Sequence, residues 1–181
     1  LNKEEIKELG NEALNTAGQL ARKSIKTPST HVEVTGKCNL KCQYCLLSDK
    51  EYRRKNAVEL DASELSDFLP GLAKVTRSVS LFGIGEPLLY KELENILGTA
   101  GSLFNSVFFT TNGVLLTPQR SQKLATSGLT SLNVSIDSID EEYLRRVRGC
   151  DLTKIIKNLQ QFSEITGLPI SIWCVVTGAN I

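Results

Sequence analysis

Cys38, Cys42 and Cys45 share one short loop, spaced C-x3-C-x2-C, with Tyr44 directly before the last of them. Three thiolates so placed can hold three corners of a cubane [4Fe–4S] cluster, for which cysteines are the usual ligands. The fourth iron is then left without a protein ligand, and an open iron can bind a small molecule and pass it an electron. Two other chemistries use the same residues. A structural zinc site wants four ligands, typically from paired C-x2-C units. Here the fourth would be Cys150, Cys174 or the only histidine, His31, and none of these belongs to a second pair. A disulfide framework suits an oxidising compartment, and three cysteines this close leave one unpaired.

The rest of the chain has to position that loop. At 181 residues one domain is the default, and 41% hydrophobic residues is ordinary for a globular protein. A net charge of +1 gives no strong field toward nucleic acid or a membrane surface. No apolar run approaches the roughly 20 residues that span a bilayer. The thiol-rich loop favours a reducing cytoplasm. The chain starts at Leu1, contains no methionine and stops at Ile181 just after a strand-like run, which reads as a piece of a longer polypeptide.

Residues 1–30 are expected to form an N-terminal helix and linker, with apolar positions at Ile6, Leu9, Ala13, Leu14, Ala17, Leu20 and Ala21 and a stop at Pro28. Residues 31–181 form the core. Strands are expected at Val32–Thr35, Ser78–Phe82, Val107–Thr111, Leu132–Ile136 and Ile170–Val176. Helices are expected from Asp61 to about Lys74, at Lys91–Ala100, after Thr117-Pro118 to Gly128, at Asp140–Val147 and at Leu152–Ile165. Asp61-x-x-Glu64 has capping-box form, and Pro118 sits at a first helical position. Lys50–Lys55 reads as a charged, solvated connection. Five βα repeats imply an α/β fold with a parallel sheet and outer helices. Sites in such sheets lie at the carboxyl ends of the strands.

Polar motifs follow the strands at those ends. After the second comes Gly83-Ile84-Gly85-Glu86-Pro87, where glycines permit close backbone approach and exposed carbonyls can accept from an ammonium group. After the third comes Thr110-Thr111-Asn112-Gly113, which by itself also reads as an ordinary turn. After the fourth comes Ser135-Ile136-Asp137-Ser138. Alternation puts Ser135 and Asp137 on one side, though Asp137 or Ser138 could simply cap the next helix. Arg145, Arg146 and Arg148 precede Gly149, and a basic helical run is often plain surface. Cys150, Cys174 and Trp173 are expected in the core, and His31 as a packing residue rather than a ligand.

The cysteine loop, its tyrosine and the strand-like run before it resemble the radical S-adenosylmethionine (radical SAM) superfamily. The Gly83–Pro87 run resembles that family's GGEP motif, departing from it at Ile84. The resemblance covers residues 31–181 and implies a partial (β/α)6 barrel, here ending after the fifth strand. It implies that Cys38, Cys42 and Cys45 bind the [4Fe–4S] cluster. It implies that Tyr44, Gly83, Gly85, Glu86, Thr111, Asn112, Ser135, Asp137 and Arg148 bind S-adenosyl-L-methionine (SAM), with Arg148 over its carboxylate, Tyr44 beside the adenine and apolar residues near Ile172 against that ring. The implied chemistry is reductive cleavage of SAM to a 5′-deoxyadenosyl radical that abstracts hydrogen from a substrate, a peptide or protein being one kind. An electron donor such as flavodoxin or ferredoxin would then be a partner. The branch most resembled contains molybdenum-cofactor-biosynthesis and peptide-maturing enzymes. The competing readings are a zinc-binding interaction module and a degenerate domain that binds a cluster without turnover.

Overall fold

The computed structural model describes residues 4, 7, 8, 10–13, 15, 16, 29–178 and 180. The residues described between 4 and 16 are helical. Most of the apolar positions expected on that helix, from Ile6 to Ala21, and its stop at Pro28 lie outside the described residues.

Five strands run β1 (Thr30–Val32), β2 (Ser78–Leu81), β3 (Ser106–Thr111), β4 (Ser131–Ser135) and β5 (Ile170–Trp173). They form one sheet in sequence order, and every neighbouring pair is parallel. The helices are α1 (Lys50–Lys55), α2 (Ala62–Leu72), α3 (Leu93–Leu103), α4 (Pro118–Leu124), α5 (Glu141–Arg148) and α6 (Leu152–Thr166). Side chains alternate across the sheet. Val79, Leu81, Val107, Phe109, Leu132 and Val134 point to one face and are completely buried. Leu65, Leu69, Leu93, Ile96, Leu97, Leu124, Ile155 and Phe162 of the outer helices are buried with them in one core.

The opposite face is polar and aromatic. Aligned rows on it read His31, Ser80, Phe108 and Ser131, then Thr110, Asn133 and Ser171, then Ser135 and Trp173. This face is concave. Phe82, directly after β2, and Trp173 on β5 lie three strands apart, which a flat sheet would separate by about 14 Å. Their ring centroids are 6.2 Å apart, and His31 meets Phe82 edge-on at 5.7 Å. The sheet therefore curls into part of a barrel, with its mouth at the carboxyl ends of the strands.

Local chemistry sets the helix ends. Asp61 accepts from the backbone N–H groups of Ser63 and Glu64, Thr117 from Arg120, and Asp140 from Glu142 and Tyr143. Asp140, not Asp137 or Ser138, is therefore the cap of α5. Gly149 ends α5 at φ 74°, a left-handed conformation that glycine takes without strain.

Four expectations are corrected. Lys50–Lys55 is a helix, capped by Asp49 on the Tyr52 N–H at 2.7 Å. Trp173 is not core but 47% exposed, because it points into the open concave side of an edge strand. Cys174 is exposed rather than packed, and its thiol donates to the Asp137 carbonyl oxygen at 3.3 Å. Cys150 is buried as expected. Ile172 aligns with Val134 on the outer face, so it does not line the mouth.

Candidate functional site at the strand ends

The cysteine loop leaves β1 and returns beside it. Gly36 N–H donates to the Val58 oxygen at 2.9 Å, and Leu60 N–H to the Val34 oxygen at 3.0 Å. The Lys37–Glu59 ion pair at 2.8 Å closes the neck. Arg53 of α1 holds the loop from outside. Its Nε donates to Leu47 O at 2.8 Å, Nη1 to Cys38 O at 2.8 Å, and Nη2 to Leu40 O. On the far side the loop sits on the carboxyl end of α5. Gln43 N–H donates to Val147 O at 2.9 Å, and Gln43 Nε2 to Arg146 O at 3.0 Å. Those carbonyls are among the last of the helix, which have no partner within it.

All three loop thiols are free and half-buried. Burial raises the pKa of Cys38, and that of Cys42 to about 11, with Arg148 opposing the rise at Cys42. The charge of Cys45 raises Cys38 further, and those of Cys38 and Cys45 raise Cys42, so a positive centre is needed to hold them as thiolates. Three thiols on one loop are a donor set that suits the three protein corners of a cluster.

The glycine turn locks β2 to this loop. Glu86 N–H donates to Lys37 O at 2.7 Å. A Cβ on Gly85 would come within 1.9 Å of Thr35 O, a backbone atom, so only glycine fits there. Glu33, at the end of β1, lies across the turn and accepts from Ile84 N–H at 2.5 Å. Glu86 is 2% exposed, and its carboxylate is fully engaged within the protein. It accepts from Thr111 Oγ1 at 2.7 Å, Asn112 N–H at 2.8 Å and Leu88 N–H at 3.1 Å. Burial nonetheless pushes its pKa up. Asn112 Nδ2 reaches Asn39 of the cysteine loop at 2.9 Å. Glu86, Thr111 and Asn112 thus knit β2, β3 and the loop together.

The third unit links β4, α5 and Tyr44. Asp137, 3% exposed, accepts from Arg148 Nε at 2.6 Å and Nη2 at 3.0 Å, from Val175 N–H at 3.0 Å and from the Tyr44 hydroxyl. Burial works against its charge. The Arg148 guanidinium, then Tyr44 and Val175, outweigh burial and hold the carboxyl below its usual range. The guanidinium lies 5.7 Å from the Tyr44 ring centre. Asn180 Nδ2 donates to Asp137 O at 2.8 Å.

Of the residues expected from the sequence, Tyr44, Asp137 and Arg148 are in direct contact, and Glu86, Thr111 and Asn112 form a second cluster. Gly83 and Gly85 form the turn between β2 and the loop. Ser135 lies on the concave face, aligned with Trp173. Sequence reasoning missed Arg53, Asn39, Gln43, Glu33 and Asn180. Only Arg53 left a signal, as a member of the basic run Lys50–Lys55, and seeing its role required recognising the helix.

The model of the radical SAM superfamily matches residues 32–178, so the chain belongs to that superfamily, whose members use a [4Fe–4S] cluster and SAM. It is 32% identical over 149 residues to a protein named as a probable GTP 3′,8-cyclase of Archaeoglobus fulgidus, covering 81% of this chain and 48% of that one. It is 29% identical over 153 residues to the GTP 3′,8-cyclase of Clostridium acetobutylicum, covering 82% and 48%. Streptococcus suis SuiB, solved bound to the precursor peptide SuiA, superposes with a TM-score of 0.71 at 25% identity, over 88% of this chain and 36% of SuiB. The chain thus spans about half the length of the curated relatives it matches. Both branches expected from the sequence appear among these proteins.

Proposed function

We propose that this chain is the cofactor-binding part of a radical SAM enzyme. Cys38, Cys42 and Cys45 would hold a [4Fe–4S] cluster, and SAM would lie between the cysteine loop and the ends of β2, β3 and β4. When bound, these groups supply reductive cleavage of SAM to a 5′-deoxyadenosyl radical, which abstracts hydrogen from a substrate at the barrel mouth.

The residues divide the work. Arg53 and the neck bonds hold the thiols in place before metal arrives. The Gly83–Gly85 turn offers backbone to an ammonium group, and Glu33 beside it adds a negative charge. Glu86, Thr111 and Asn112 fix that turn against the loop. Arg148 Nη1, which donates to no partner among the described residues, is the group left to bind a carboxylate. Asp137 and Tyr44 orient it, and Ser135 offers a hydroxyl from the same face. The observation that carries this reading is the Tyr44–Asp137–Arg148 joint, which ties the thiol loop to the end of β4. A zinc module has no use for that joint.

Two expectations stay attached to the proposal: a protein electron donor and a cytoplasmic location. Among the described residues no helix is long and apolar enough to cross a membrane. The named relatives offer two substrate classes, the nucleotide of the cyclases and the peptide of SuiB.

The test is anaerobic reconstitution with iron and sulfide. The expected product is brown, with about four irons per chain, and gives 5′-deoxyadenosine from SAM under dithionite. A colourless, iron-free chain, or one holding a single zinc on four ligands, overturns the reading. A loaded chain that binds SAM without forming 5′-deoxyadenosine would mark a degenerate domain.

A further inference from the structure

The concave face carries polar groups that the cofactor-binding residues leave unused. Thr110, Asn133 and Ser171 stand side by side on β3, β4 and β5. They lie one layer deeper in the barrel than Ser135 and Trp173, about 7 Å toward the amino ends of the strands. Asn133 is the central one and is 6% exposed. Its amide makes no hydrogen bond among the described residues, and neither does the hydroxyl of buried Thr110. On the same face the Ser80 hydroxyl is enclosed without a partner. Glu86 and Asp137, at the strand ends above, are by contrast engaged by the protein itself. A buried amide with no partner costs stability, and an apolar side chain of the same size would serve a core better.

Aromatic rings flank this row. His31 meets Phe82, and Phe82 meets Trp173, whose indole keeps about half of its surface uncovered. None of the aligned residues on this face is a lysine or an arginine. The floor of the barrel is therefore poor in partners for a phosphate or a carboxylate and rich in neutral donors, acceptors and ring faces.

We propose that Asn133 reads a flat, uncharged heteroaromatic ring of the substrate through its lactam edge. An asparagine amide sets a donor beside an acceptor, and a lactam sets a ring N–H beside a carbonyl oxygen, so two hydrogen bonds form together. The uncovered Trp173 indole gives such a ring a face to stack on. The inference rests on the SAM assignment above and adds which part of the substrate is held beneath it. Asn133 determines specificity here, and no bond is made or broken at it.

Guanosine is the probe, because it is neutral and carries the lactam edge. Equilibrium dialysis against the reconstituted chain, saturated with SAM, should show saturable binding. 1-Methylguanosine lacks the ring N–H and should bind about tenfold or more weakly. Asn133→Leu nearly keeps the shape of the side chain and removes its polar atoms. This variant should lose about tenfold or more in guanosine affinity, bind the two nucleosides alike and keep its affinity for SAM. Its thermal midpoint should equal or exceed that of the wild type, since the lost amide leaves no protein group stranded. A residue that only supported the fold would lower it.

In a chain that carries its cluster and binds SAM, equal guanosine affinity in wild type and Asn133→Leu overturns the inference, as does the absence of saturable guanosine binding to the wild type. A fall in SAM affinity as large as that for guanosine also overturns it, by assigning the amide to the cofactor. A wild-type chain that takes up no cluster overturns the assignment of the cysteines, and this subsite with it.

Discussion

At the scale of single residues, the joint at Asp137 decides most. The sequence singles out Tyr44, Asp137 and Arg148, and the resemblance assigns all three to SAM. In the structure they first bind one another. A buried ion pair is weak grounds for stability, but removing one partner strands the other. Asp137→Asn should therefore cost about 3–5 kcal/mol in urea unfolding at neutral pH. The pH dependence has a definite sign. The folded-state pKa of Asp137 is lowered, so its contribution is fully present above the unfolded carboxyl value of about 3.9. It is lost as pH falls through the lowered folded value. The variant's stability should change less with acid than the wild type's, and parallel profiles below about pH 4 would count against the pair. The pairing was hidden in the sequence because Tyr44 and Asp137 are 93 residues apart.

At the scale of elements, α1 is the lesson. Its sequence KEYRRK reads as a solvated charge run, and for Lys50, Arg54 and Lys55 it is exposed surface. Arg53 differs because Asp49 starts a helix, and the helix turns one guanidinium inward onto three loop carbonyls. A charge pattern alone cannot tell the inward position from the outward ones. Cap chemistry is local, by contrast, and the starts of the helices opened by Asp61, Thr117 and Asp140 were legible to within a residue. Arg53→Ala removes hydrogen bonds from a charged donor, each worth about 1.5–3 kcal/mol. The expected outcome is slower, incomplete iron uptake and faster loss of iron to a chelator. The thermal midpoint of the metal-free chain should also drop. Arg53→Lys should restore only part, since an ammonium cannot reproduce the planar fork. Iron uptake and chelator resistance equal to wild type in Arg53→Ala would show that the loop needs no such clamp.

Across the whole molecule, the order of strands and the placing of motifs at their carboxyl ends were readable, because five βα repeats leave one handed way to build a parallel sheet. What was not readable is which side chains stay uncovered. Trp173 and Cys174 looked like core because their strand is apolar, yet coverage of an edge strand depends on what packs beside it, and no local pattern records that. The same exposure provides a probe. Trp173 is the only tryptophan in the chain, it touches Phe82 across the concave face, and it is aligned with Ser135, one of the groups proposed to bind SAM. If SAM binds at the ends of β2, β3 and β4, it must change the surroundings of this indole, half of which now faces water. Titrating SAM into the reconstituted chain should alter Trp173 emission saturably, and 5′-deoxyadenosine alone should cause a smaller change because it lacks the groups that Arg148 and the glycine turn would hold. Arg148→Gln should weaken the SAM titration more than the nucleoside titration. A Trp173 signal indifferent to saturating SAM, in a chain that still cleaves it, would place the cofactor away from this face of the barrel.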